Sequence, residues 1–149
     1  MEARKIIITG GATRIGAAIA EKLSGPNIEI TIHYNKSKSK AESLKKKLLQ
    51  FGTKVHLIKG DFTQTFEKTD TGKLALVFVD CDSYRGTEYL IEKIFDHCLA
   101  VSGLMLFEDY GHASLLGNRL AVHKFFDRKK NAFCFFSQFS GTFIVCKTY

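Results

Sequence analysis

Residues 9–16, Thr9-Gly10-Gly11-Ala12-Thr13-Arg14-Ile15-Gly16, set three glycines and several small side chains around one arginine, between an apolar run and a helix-like stripe. Gly10 permits a tight turn, the small side chains let a phosphate approach backbone N–H groups, and Gly16 lets the next helix lie close to a sheet. The competing reading is a tight strand-to-helix turn that binds nothing. Four carboxylates, Asp80, Asp82, Glu108 and Asp109, follow two later apolar runs. If those runs are neighbouring strands, hard oxygen donors meet at their carboxyl ends, the donor type that Mg²⁺ takes. Otherwise Asp80 or Asp82 caps a helix and Asp109 makes a turn.

The elements that must hold these residues follow from the period of the apolar positions, which switches repeatedly between strand-like runs and helix-like stripes. Strands are expected at Lys5 to Thr9, Ile28 to Tyr34, Val55 to Ile58, Leu74 to Val79 and Leu104 to Phe107. Helices are expected through Ile15, Ile19 and Leu23, over the lysine-rich stretch ending at Gly52, from Thr87 to Leu99, and from Asn118 to Phe126. Ala132 to Phe139 and Thr142 to Lys147, split by Ser140-Gly141, read as a hairpin. Only the eleven residues Thr63 to Lys73 join strands three and four. Crossing three strand spacings takes about 14 Å, and eleven extended residues reach roughly 36 Å, so a single helical turn at Thr65 to Lys68, or none, suffices.

The implied fold is α/β: a Rossmann-like, doubly wound three-layer αβα sandwich, strand order 3-2-1-4-5-7-6, with an antiparallel last strand. At 149 residues and 45% hydrophobic content the chain is read as one domain, 1–149. It has no apolar run of membrane-spanning length and no charged-then-apolar leader, so a soluble cytoplasmic protein is expected. The net charge of +7 is concentrated between Lys36 and Lys54, where seven lysines face the single Glu42. With Leu44, Leu48 and Leu49 as its apolar stripe and no aromatic residue interleaved from Lys36 to Lys47, that stretch reads as a solvated helix face, not a nucleic-acid surface. Cys81, Cys98, Cys134 and Cys146 show no metal or disulfide spacing and read as buried, reduced thiols.

The loop TGGATRIG, with HYNKSKSKAESL after strand two, resembles the short-chain dehydrogenase/reductase family, in particular its pteridine-reductase-like members, over residues 1–60. That resemblance implies an NADP(H) site built from Gly10, Arg14, Ile15, Gly16, Asn35, Lys36, Ser37 and Asp61. The residue chemistry agrees: no acid ends strand two, and Arg14, Lys36 and Ser37 could meet a 2′-phosphate. Asp61 stands where the family sets an Asp against the adenine amine, and equally where a turn residue would. Residues 61–149 are different. GDFTQTFEKT, LALVFVDCDSYRGTEYL, SGLMLFEDYG and RLAVHKFF resemble the macrocin O-methyltransferase family of class I S-adenosylmethionine-dependent enzymes, in which carboxylates after strands four and five hold a divalent cation. An antiparallel last strand is common in that class. Glu108 departs from the aspartate usual there.

Each resemblance lacks its chemistry. Tyr89 and Lys93 have the spacing of a reductase Tyr/Lys pair but follow strand four instead of strand five, and the reductases' catalytic Ser is absent. The acidic Gly-rich loop and the acid after strand two that methyltransferases carry are replaced by TGGATRIG and Asn35. The reading is therefore a chimera, natural or engineered, joined near Gly60-Asp61, with a dinucleotide loop and no evolved catalytic residues. Its expected ligand is a small-molecule nucleotide, NADP(H), with Mg²⁺ weak at best, S-adenosylmethionine disfavoured, and neither nucleic acid nor membrane as partner. The alternative is a metal-dependent class I S-adenosylmethionine O-methyltransferase.

Overall fold

The computed structural model describes residues 3–149 and divides into two compact units, 1–72 and 73–149. In the first, β1 (Arg4–Ile8), β2 (Ile28–Tyr34) and β3 (Lys54–Lys59) form a parallel sheet in the order β1-β2-β3. The connecting helices are α1 (Arg14–Leu23) and α2 (Lys38–Leu49). Alternation along β2 sends Ile30, Ile32 and Tyr34 to one face, where they are buried with Ala20 of α1 and Ala41, Leu44 and Leu48 of α2. His33 points to the other face, towards a short helix α3 (Phe62–Thr65): its ring lies edge-on to Phe62 at 6.3 Å and its Nε2 is 3.1 Å from Thr65 Oγ1. Both faces are thus covered, as the apolar run of a parallel strand requires.

Burial, not charge pairing, attaches α2. A fully buried Leu or Ile contributes roughly 1.5–3 kcal/mol, and Leu48 is wholly buried. The exposed Lys47–Glu21 pair at 2.8 Å, which joins α2 to α1, is of the kind worth under about 1 kcal/mol. The stripe is Ala41, Leu44 and Leu48; Leu49, expected in it, is half exposed. One residue further on, it has turned past the buried arc.

In the second unit β4 (Leu74–Val79), β5 (Leu99–Phe107), β6 (Ala132–Phe136) and β7 (Phe143–Lys147) form a sheet in the order β4-β5-β7-β6. β4 and β5 are parallel; β7 runs antiparallel to both β5 and β6. The chain thus has the Rossmann-like α/β fold with an antiparallel last strand. Its ladders form two sheets, one in each compact unit, in place of the single seven-stranded sheet expected; within each the expected order holds. Helices α4 (Tyr84–Ile94) and α5 (Leu116–Phe126) pack on one another, and Thr87 Oγ1 donates to Asn118 Oδ1 at 3.2 Å in the buried seam.

Several boundaries differ from those expected, three of them for plain local reasons. Asp61 Oδ1 accepts from the Thr63 amide at 2.9 Å, so the turn between β3 and β4 starts at Phe62, earlier than Thr65. Ser83 Oγ accepts from the Gly86 amide at 3.2 Å, which starts α4 at Tyr84 instead of Thr87. That helix stops at Ile94, because Leu99 already pairs with Leu74 in the sheet. Between the pairs Leu74↔Leu99 and Leu76↔Leu104, two steps along β4 match five along β5. The excess bulges through Ser102, in the left-handed region at φ 63°, and Gly103, where a Cβ would stand 2.8 Å from the Ala100 carbonyl oxygen. The four cysteines are free thiols, and Cys134 is exposed, not buried, because β6 is an edge strand.

The end of β7 is anchored by Lys147. Its ammonium is buried and donates to the carbonyls of Phe95, Asp96 and Leu99 at 2.9, 3.3 and 3.2 Å, filling the acceptors left open where α4 ends. Lys147→Met should leave those carbonyls without a donor and lower the unfolding free energy by about 1–3 kcal/mol. Urea denaturation should show a lower midpoint with an unchanged slope; an unchanged midpoint would contradict the anchoring role.

Candidate functional site

In the first unit the loop after β1 is tightly constrained. Gly10 sits at φ 62°, the Gly11 amide donates to the His33 carbonyl at 3.2 Å, and a Cβ on Gly16 would stand 2.8 Å from Gly11 Cα. The Gly11 amide is therefore engaged within the protein. The donors facing outward are those of the first turn of α1, whose N-cap Thr13 gives it no side-chain hydrogen bond. Arg14 and Ile15 are exposed, with Arg14 itself at φ 48°.

A groove of about 750 Å³ opens beside this turn, and Arg14 and Ser37 line it. Gly10, Ile15, Gly16, Asn35, Lys36 and Asp61 are not among its lining residues. Ser39, Lys40, Ser43 and Lys47 are, though the lysine-rich stretch reads in sequence only as a solvated face. Asp61 is fully exposed, and its carboxyl lies below the ordinary range because Thr63 donates to it from both hydroxyl and amide.

In the second unit the pair Val79↔Phe107 ends β4 and β5 side by side, so the residues that follow face each other. Asp80, Glu108 and Asp109 each offer a carboxylate oxygen within 4.8 Å of the others. Glu108 reaches the group despite its longer side chain. Asp82, at φ 51° in the left-handed region, lies outside that group of three but shares a hydrogen bond with Asp109. Burial, the Asp82 hydrogen bond and the charges of Glu108, Asp82 and Asp80 push the Asp109 carboxyl up to about 7. Burial, then Asp82, also raises Asp80.

Among the described residues, Asp109 Oδ2 is buried with no hydrogen-bond partner. Converging hard oxygens, mutual repulsion and a buried acceptor without a donor are what a divalent cation would relieve, so the residues fit such an ion. Neighbouring Cys81 is no nucleophile at neutral pH, since burial pushes its thiol up to about 11. Two residues with no site signal in the sequence meet beside the turn that carries Glu108 and Asp109. Tyr110, adjoining Asp109, is buried with its hydroxyl 2.6 Å from His123 Nε2. The only sequence signal for His123 was its helical i,i+4 spacing from Asp127.

The family model of the short chain dehydrogenases matches residues 4–77, just under half of the chain. No curated protein matches it. Among solved structures, an S-adenosylhomocysteine-bound methyltransferase from Podospora anserina is similar over 98% of this chain and 72% of its own, at 17% identity and a TM-score of 0.71. An O-methyltransferase of tomaymycin synthesis from Streptomyces achromogenes, in complex with S-adenosylmethionine, matches 99% of this chain and 74% of its own at 16% identity, TM-score 0.63. A short-chain dehydrogenase from Oenococcus oeni matches 62% of this chain and 55% of its own at 19% identity, TM-score 0.50.

The likeness to methyltransferases thus runs through both units, the reductase-like loop included. This corrects the expectation that S-adenosylmethionine is disfavoured. That expectation rested on two local departures, the loop and Asn35, whereas the fold shared with cofactor-bearing methyltransferases spans nearly every residue.

The raised Asp109 carboxyl fixes a pH dependence. An unfolded aspartate titrates near 3.8 and the folded one near 7, so between these values the folded chain holds a proton that the unfolded chain has released. The Asp109 contribution to stability therefore falls as pH rises from about 4 to about 7, against the opposite contribution of His33, which burial holds below its ordinary value. Thermal melts without metal should show a higher Tm at pH 5 than at pH 8, and Asp109→Asn should flatten that slope. An identical slope in the variant would show that Asp109 is not its source.

Proposed function

We propose that this chain is a divalent-metal-dependent, class I S-adenosylmethionine O-methyltransferase domain. The observation that carries the reading is the carboxylate group at the ends of β4 and β5, with Asp109 Oδ2 buried and lacking a donor. The metal ligands are Asp80, Glu108 and Asp109, with Asp82 sharing the proton that Asp109 must lose. A divalent cation there supplies positive charge that lowers the pKa of an acceptor hydroxyl. S-adenosylmethionine supplies an electrophilic methyl group on its sulfonium.

The chain's own residues fit the donor in two respects. The uncapped first turn of α1 offers N–H groups to its carboxylate, the usual role of a helix N-terminus towards an anion. Asn35, beyond β2, carries both an acceptor and a donor for ribose hydroxyls where an acid would only accept.

A further reading concerns origin. The reductase family match ends at residue 77, close to the boundary between the compact units at 72 and 73, which favours a chain of two-part ancestry. The two parts remain one 1–149 functional domain in this proposal.

Thermal shift measurements test the activity. A ligand that binds only the folded state raises Tm, so S-adenosylhomocysteine and Mg²⁺ should each do so. Asp109→Asn should abolish the Mg²⁺ shift and keep the S-adenosylhomocysteine shift. No shift with either ligand at millimolar concentration would overturn the proposal.

A further inference from the structure

We propose that His123 is a positioning residue for the carboxylate group: by accepting the Tyr110 hydroxyl it fixes the turn that carries Glu108 and Asp109. This rests on the metal-site reading above and extends it to a residue on α5. The turn, Glu108–Gly111, is a single 3₁₀ turn at the end of β5. So short a helix has too few internal hydrogen bonds to hold its own orientation, and it carries two carboxylates that repel each other and Asp80. Something outside it must resist their spreading.

Tyr110 is the side chain through which that resistance acts. It is buried, its ring stacks on Phe143 at 4.4 Å and 24°, and it tilts against Phe136 at 5.2 Å. Arg119 holds the same residue by two contacts, its Nε donating to the Tyr110 carbonyl at 3.1 Å and its guanidinium lying 5.2 Å from the ring centre. Stacking and a backbone contact fix the plane of the ring and the base of the side chain; the freedom left to it is to slide and swing within the plane of the stack. The hydroxyl bond to His123 Nε2, at 2.6 Å, removes that freedom at the ring's far end.

The proton inventory gives the bond its direction. Asp127 Oδ1 lies 3.3 Å from His123 Nδ1, and a carboxylate can only accept, so Nδ1 bears the hydrogen. In the neutral imidazole Nε2 is then the acceptor, and the Tyr110 hydroxyl donates to it. A chain of two hydrogen bonds thus runs from the buried tyrosine to the exposed Asp127, and α5 sets the orientation of the turn beside it. The side chain of His123 is 48% exposed and that of Asp127 is 67% exposed, so packing alone does not call for a histidine at this position.

The experiment combines Mn²⁺ titration by calorimetry with amide hydrogen exchange of the metal-free full chain. His123→Ala should weaken Mn²⁺ binding about tenfold, the lower end of the 10- to 100-fold range for groups behind metal ligands. It should also speed exchange at the Tyr110 and Gly111 amides while changing Tm little. Tyr110→Phe, which keeps the ring stack, should reproduce both effects. His123→Gln, whose amide oxygen can accept the same hydroxyl, should restore both towards the unmodified protein. Wild-type Mn²⁺ affinity together with wild-type exchange in His123→Ala would overturn the positioning role. If the unmodified chain binds Mn²⁺ no better than Asp109→Asn, the metal reading fails separately; exchange in His123→Ala then decides the positioning role, and unchanged rates overturn it.

Discussion

The parallel pairing of β4 with β5 is the constraint on which the second unit depends. Its register sets Val79 opposite Phe107, so both strands deliver their next residues to one place, and those residues are acids. Carboxylates this close repel, and the protein answers partly by holding a proton on Asp109 and partly by packing. The register is itself held from both sides. The bulge through Ser102 and Gly103 takes up the mismatch at the start of the pairing, and β7 closes the far side of β5 through the pairs Leu104↔Cys146 to Phe107↔Phe143.

The opposite end of β5 and β7 is closed by aromatic and basic side chains. Phe95 and Phe126 meet edge to face at 5.0 Å, Phe126 meets Phe107, and Lys147 reaches across to the end of α4. A buried ammonium without partners would be costly, but three carbonyl acceptors and the face of Phe95 at 5.6 Å satisfy this one.

The first unit solves a different problem, bringing a helix terminus close to a sheet. A Cβ on Gly16 would meet Gly11 Cα and one on Gly11 would meet the Ile8 carbonyl oxygen, so neither position tolerates a side chain, and the Gly11 amide is engaged by His33. What stays open is the first turn of α1, whose N–H groups would not by themselves distinguish a phosphate from a carboxylate. This is why the same loop is compatible with a reductase family match and with a methyltransferase-like fold. The discriminating groups, an acid or its absence after β2, lie elsewhere.

Much of this was legible from residue types alone. The spans of β2 and β4, the closing hairpin and the placement of Asp80, Glu108 and Asp109 after strands follow from apolar periodicity and local turn chemistry, which act over a few residues. The early start of α4 at Ser83, the bulge before Leu104, the exposure of Leu49 and Cys134, and the exclusion of Asp82 from the group of three acids were not legible. Each depends on a cap, a register or an edge that exists only once strands are paired. Nor does any local pattern reveal that Tyr110 meets His123 thirteen residues away, or that Lys147 meets Phe95 fifty-two residues away. By itself the sequence determined the class of fold and which acids could become neighbours, because periodicity and strand ends are properties of a segment. Only the tertiary structure decided which acids converge, which of them keeps a proton and what holds them there, because burial and distance are properties of segments brought together.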